Sequence, residues 1–406
     1  MGDTSRRERA IPGSSPVPGH GPALSRSRVL LLAAVTSVLL CAAIVAWKRQ
    51  RPTETFTFVE DAVFEAIAVE RASFQPDPGL ATGRPHYLAE EQVRRIFDMR
   101  GGKPYDPWCY FRERPGKRVR VRWPEHPDGF FLVETNSLGY RDDEPAGRAD
   151  LEVYVVGDSN TAGVCNRDES YSNRLERLLA EHREGSVSVL NMGTGGYGLH
   201  SYLGTVEKAV ASRPDVFVVS VFGGNDFTEV LPLHRLFDDG PRHPWEGEVA
   251  ERRRAALRLD RVLMTHGYHA ALLFDTFPDA RDVALRVALD LVGRMKAACD
   301  AHGVRLVVLY IPEPCSFEWT PPLEGAGELR AVLGLEPEDY GVVSRLADRF
   351  LEGLAGMDVE TVDLRPVFAS MPEPPYWRKD LHMNLEAHEQ AARALLERVS
   401  WNPRGR

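Results

Sequence analysis

The chain contains no CxxC pair and only five cysteines in 406 residues: Cys41, Cys109, Cys165, Cys299 and Cys315. A cysteine-built zinc cluster is therefore excluded, and no other metal-binding pattern takes its place. A basic field is also missing. The formal net charge is −9, with 50 Lys and Arg against 59 Asp and Glu, so nucleic acid is not an expected partner. No GxGxxG follows the first strand-like run, which removes the usual dinucleotide loop and with it any indicated organic cofactor. What remains is ordinary globular composition, 43% hydrophobic and 27% charged, enough for a sizeable core. Cys41 lies in an apolar run. The other four cysteines fit two disulfides in an oxidising compartment, or free buried thiols.

Residues 1–28 are rich in Pro, Gly, Ser and Arg and read as a disordered tail. Val29 to Trp47 then run without one charge. At about 1.5 Å per residue this segment is roughly 28 Å long, enough for one membrane crossing. Trp47 ends it, and Lys48, Arg49 and Arg51 follow. A cleavable signal peptide is the alternative, but its apolar region is normally shorter and its exit has small residues. Leu40 is too bulky for a lipoprotein signal at Cys41. Arg6, Arg7, Arg9, Arg26 and Arg28 outnumber the basic residues on the far side. This bias places the N-terminus in the cytoplasm and the rest of the chain on the extracytoplasmic side.

Residues 52–150 read as an N-terminal extension that packs on the main domain. Helices are expected at 59–71 and 89–99, an irregular Pro/Gly/Arg-rich stretch at 101–129, and a strand at 130–136. From 151 the pattern changes. Short β-branched runs at 151–156, 187–191, 215–222, 304–311 and 358–364 alternate with amphipathic stretches at 170–183, 199–212, 279–302, 338–355 and 385–399. Nearly unbroken apolar strands between helices predict a parallel sheet covered on both faces. The expected fold over 151–400 is therefore a three-layer α/β/α sandwich around five parallel strands. About 80 residues separate the third and fourth strands, more than one crossover helix needs. The part at 227–278 is expected to form a cap-like insert, with a surface loop at 231–247 and a basic helix at 251–263.

Chemistry-bearing residues fall at the carboxyl ends of these strands, where open α/β sheets place their sites. Gly157-Asp158-Ser159-Asn160 ends the first strand. A serine there presents its hydroxyl at the sheet edge, beside the free N–H groups of a helix start, although it can equally be a plain helix cap. Asn191-Met192-Gly193-Thr194-Gly195-Gly196-Tyr197-Gly198 ends the second strand, and its glycines allow close approach of the backbone to a ligand. Gly223-Gly224-Asn225-Asp226 ends the third, where the asparagine amide can serve an oxyanion or simply form a turn. Asp380-Leu381-His382 precedes the last helix, and a carboxylate so near a histidine can hold one tautomer of the ring.

Together these blocks resemble the SGNH hydrolase superfamily, the GDSL-like esterases and lipases, in its membrane-anchored bacterial form. The resemblance covers about 151–399. The third block matches GxND. The last has one residue fewer than the common Asp-x-x-His. Thr135-Asn136-Ser137-Leu138-Gly139-Tyr140-Arg141 is similar to an NSxGFR-type segment that precedes the first block in some members. The resemblance implies a flavodoxin-like fold and a serine esterase. Ser159 would be the nucleophile, His382 its base and Asp380 the orienting carboxylate. The backbone N–H groups of Ser159 and Gly196, with the Asn225 amide, would form the oxyanion hole, Gly193 being the alternative to Gly196. No metal or cofactor is implied. The expected partners are an ester substrate (an acetylated glycan, a lipid or a small ester) and a membrane through residues 29–47. Acyl transfer to a cell-envelope glycan uses the same residues. A catalytically silent glycan-binding or scaffold domain is the reading from a different class.

Overall fold

The computed structural model describes residues 86–401, apart from 98, 100, 101, 146, 239–244, 318 and 320. The expected tail, apolar span and helix at 59–71 lie outside the described residues. Among the described residues, no helix is long and apolar enough to cross a membrane.

Two small antiparallel pairs come first. β1 (Tyr105–Asp106) pairs with β2 (Tyr110–Phe111), and β3 (Arg118–Arg122) pairs with β4 (Phe130–Glu134). The second hairpin corrects the expectation of an irregular stretch at 101–129. Its first strand reads Arg-Val-Arg-Val-Arg, a period of two that is masked by the flanking Pro and Gly. The helix expected at 89–99 is Glu90–Ile96.

The five apolar runs form one parallel sheet. Its strands are β5 (Leu151–Val156), β6 (Val187–Asn191), β7 (Val216–Phe222), β8 (Arg305–Ile311) and β9 (Glu360–Asp363), in the order β6-β5-β7-β8-β9. Every residue of β7 is buried, because alternate side chains enter opposite apolar layers. Phe217, Val219 and Val221 join one layer with Leu203, Leu291 and Phe350 of helices Leu199–Ala209, Pro278–Ala301 and Gly341–Gly356. Val216 and Val218 join the other with Leu175 and Leu395 of helices Tyr171–His182 and Leu385–Arg398. The three layers agree with the expected α/β/α sandwich. The strand order reverses direction between β5 and β7, and the crevice at that switch point is where such sheets hold their ligands.

The insert differs from expectation. A helix, Asp226–Asp238, runs into the segment expected as a loop, despite Pro232 in its interior. Phe227, Val230, Leu231, Leu233 and Leu236 are buried around the helix, as is Pro232 itself, and that burial outweighs the roughly 3 kcal/mol cost of the proline. The basic helix begins earlier, at Gly247, and ends at Leu259. Asp260 then caps a short further turn through the Leu263 N–H at 3.0 Å. A π-helical turn, Met264–Tyr268, and helix His269–Thr276 complete the insert.

Cys109, Cys165, Cys299 and Cys315 form no disulfide with one another. The disulfide alternative is not realised. Burial pushes the thiols of Cys109, Cys165 and Cys315 up to about 12, so they are poor nucleophiles.

The extension is tied to the main domain by a buried arginine. Arg141 donates to the Ala162 carbonyl at 2.8 Å, to Leu132 at 3.0 Å and to Cys165 at 2.7 Å, and also bonds the Gly163 carbonyl. These acceptors lie just after Ser159, or on β4. Asp142 continues the brace, accepting from the Asn191 N–H at 2.6 Å and from Asn173 Nδ2 at 3.0 Å. Arg141→Met leaves several buried carbonyls without donors, at about 1–3 kcal/mol each before relaxation. The expected net loss is about 3–5 kcal/mol, read as a lower urea midpoint at unchanged slope. An unchanged midpoint would show that the brace contributes nothing.

Candidate active site

Ser159 opens a four-residue helix, Ser159–Ala162, directly after β5. The cap of this helix is Asp158, whose carboxylate accepts the Asn160 N–H at 2.8 Å. Asp158 therefore shapes the turn, while Ser159 stays partly exposed at the sheet edge. Ser159 Oγ lies 2.7 Å from Nε2 of His382. His382 Nδ1 lies 2.9 Å from Asp380 Oδ2. A carboxylate only accepts, so Nδ1 carries the proton and Nε2 offers its lone pair to the serine hydroxyl. Burial alone would lower the His382 pKa. The charge and hydrogen bond of Asp380, with the charge of Asp158, outweigh that and hold it above its usual value.

The short Asp380-Leu381-His382 block works because Leu381 sits in the left-handed region, at φ +62°. This costs about 1–2 kcal/mol for a residue with a side chain, and full burial of Leu381 offsets it. The loop is fixed on both sides. Trp377 N–H donates to the His382 carbonyl at 2.8 Å, and Met383 N–H donates to Asn160 Oδ1 at 3.1 Å. Asn160 thus joins helix Ser159–Ala162 to the histidine loop. The Trp377 indole donates to the Val164 carbonyl at 3.1 Å.

Geometry separates the two glycine candidates. The Gly193 N–H is committed to Asn191 Oδ1 at 3.0 Å, and a Cβ at Gly193 would stand 2.5 Å from the Ala162 nitrogen. Gly193 lets the second loop press against helix Ser159–Ala162. Gly196 is partly exposed at φ +86°, and its N–H meets no protein acceptor among the described residues.

Asn225 precedes helix Asp226–Asp238, and its Nδ2 donates to Glu229 Oε1 at 2.7 Å. One Nδ2 hydrogen is thereby held and the other remains available. Asp226 of the same block is fully buried and accepts from the Phe222 N–H at 2.7 Å and the Tyr202 hydroxyl at 3.0 Å. It anchors the turn rather than facing the serine.

A family model, the GDSL-like lipase/acylhydrolase family, matches residues 155–390. The chain belongs to that family. It is accordingly an enzyme that hydrolyses ester bonds. Several solved structures resemble this GDSL-like domain at low identity. An extracellular lipase from Streptomyces rimosus is 14% identical, covering 61% of this chain and 100% of that one at a TM-score of 0.40. An acetyl xylan esterase, AlAXEase, is 14% identical over 62% of this chain and 100% of its own, at 0.36. A psychrotrophic esterase, EstA from Pseudoalteromonas sp., is 10% identical over 61% and 96%, also at 0.36. Likenesses this distant carry nothing about the substrate. No curated protein matches the chain.

Several contributors to this GDSL-like site carry no sequence signal of their own. The π-helical turn of the insert sets the His266 ring edge-to-face with that of His382, centroids 4.9 Å apart. Burial, then the neighbouring His382, pushes His266 down to about 3, so its ring is neutral. Glu229 likewise acts through a helical i,i+4 contact that many surface glutamates share, while Asn160 and Arg141 lie in segments the sequence marks but owe their contacts to the fold.

Proposed function

We propose that the chain is a serine esterase acting through Ser159, His382 and Asp380. The carrying observation is the unbroken series Ser159 Oγ, His382 Nε2, His382 Nδ1 and Asp380 Oδ2, with contacts of 2.7 and 2.9 Å. As Ser159 Oγ attacks the ester carbonyl carbon, its proton passes to His382 Nε2. The carbonyl oxygen becomes an oxyanion, held by the N–H groups of Ser159 and Gly196 and by the Asn225 amide. His382 returns the proton to the alcohol oxygen as the C–O bond breaks. Water then gives a proton to His382 and attacks the acyl-enzyme, and the collapse frees the acid and restores Ser159. The residues of the chain suffice for every proton transfer in this sequence.

Residues 52–406 are expected to hydrolyse p-nitrophenyl acetate. A rate falling steadily from acetate through butyrate to octanoate identifies a deacetylase-type acyl site, and the reverse order a lipase-type one. A folded protein with no turnover on any of the three would sink the esterase reading.

A further inference from the structure

We propose that Lys103, in the N-terminal extension, is a positioning residue that sets the oxyanion donor at Gly196. The inference rests on the serine-esterase reading above. Lys103 is only 5% exposed, and lysine is almost never that buried without a specific partner. Its ammonium donates to the Gly195 carbonyl at 2.7 Å and lies 4.4 Å from the centre of the Phe111 ring. Phe111 belongs to β2, and the Tyr197 hydroxyl bonds its carbonyl. The hairpin of the extension therefore lies against the second loop of the site.

The Gly195 carbonyl and the Gly196 N–H belong to one planar peptide unit. In its trans form the two groups point in opposite directions. A donor fixed on the Gly195 oxygen therefore fixes the direction of the Gly196 N–H. The pin matters because both flanking residues are glycine and resist rotation of that unit least. A flipped unit would aim a carbonyl oxygen, in place of an N–H, at the developing negative charge.

Two electrostatic effects act in the same sense. An ammonium bound to the carbonyl polarises the unit and strengthens its N–H as a donor. The charge is also close, since a Cβ at Gly196 would lie 3.9 Å from Lys103 Nζ. A fixed positive charge in a water-poor site favours an oxyanion that exists only in the transition state. Lys103 precedes the family match at 155–390, so this arrangement makes the extension part of the catalytic apparatus.

The test compares Lys103→Met with Lys103→Arg in the full chain. Lys103→Met is expected to lower kcat on p-nitrophenyl acetate about 10- to 100-fold, with KM within about threefold. Binding of phenylboronic acid, which forms a tetrahedral adduct on a serine nucleophile, should weaken by a similar factor. Lys103→Arg keeps charge and donor and should recover most of the loss. Wild-type kcat in Lys103→Met overturns the proposal. So does a raised KM at unchanged kcat, or a fall in kcat without weaker boronate binding. If the Met variant does not fold, Lys103→Leu, which also lacks a donor, is measured against Lys103→Arg by the same criteria, and wild-type kcat there is equally fatal. Failure of the esterase reading itself looks different: the folded wild-type protein would then show no turnover, or Ser159→Ala would retain it.

Discussion

Ser159→Ala is expected to remove ester hydrolysis, lowering kcat on the order of a million-fold. The hydroxyl is the atom that forms the new bond, and His382 has no other proton to take from the enzyme at that point. The residual rate should be what the oxyanion donors and substrate binding provide alone, about 10³–10⁴-fold over water. Folding should survive. Asp158 still caps the helix, and the one hydrogen bond of the Ser159 hydroxyl is to His382. Thermal unfolding within a few degrees of wild type, with no detectable p-nitrophenol release, is the expected pair of results. Turnover that persists in a folded Ser159→Ala protein would assign hydrolysis to another group.

Asp380→Asn carries the second large effect, and it has a direction in pH as well as a size. His382 must be neutral to accept the serine proton, so activity rises as pH climbs through the His382 pKa in the free enzyme. That pKa is held above the usual histidine value chiefly because Asp380 outweighs burial. Removing the carboxylate lets burial dominate, and the acid limb of kcat/KM should move to lower pH. The plateau should fall about 10³–10⁴-fold. An asparagine amide can donate to Nδ1 and favour the tautomer whose Nε2 already carries a proton. Profiles of kcat/KM from pH 5 to 9 check both features. A plateau within tenfold of wild type would remove Asp380 from the orienting role.

The central sheet was legible in the sequence because its strands are buried on both faces. Such strands read as continuous β-branched runs, and all five lie within two residues of their expected limits. Ser159 and His382 were legible for a related reason. They sit at strand ends and helix starts, which composition marks. The choice between Gly193 and Gly196 was not legible, since it depends on which N–H the Asn191 side chain has already occupied. Leu381 gave no sign of its left-handed backbone, because nothing in a leucine announces positive φ. Pro232 argued for a loop and lost to the burial of the apolar residues around it. The extension hid its role most completely. Lys103 looks like an ordinary surface charge until the fold brings it to a carbonyl 92 residues away, and Arg141, though inside the marked 135–141 segment, gives no sign of the carbonyl it meets 21 residues on.

The distance along the chain between the two halves of the triad has a consequence for biosynthesis. Ser159 and His382 are 223 positions apart. At 5–20 residues per second, a ribosome needs roughly 10–45 s to extend from one to the other. Throughout that interval the nascent chain carries a serine with no base, and an isolated serine hydroxyl is a weak nucleophile. The histidine loop is then clasped by Asn160, and helix Leu385–Arg398 packs beside Tyr171–His182. Esterase activity should therefore switch on late, when the closing segment of the polypeptide docks, and appear as a single step rather than grow with chain length.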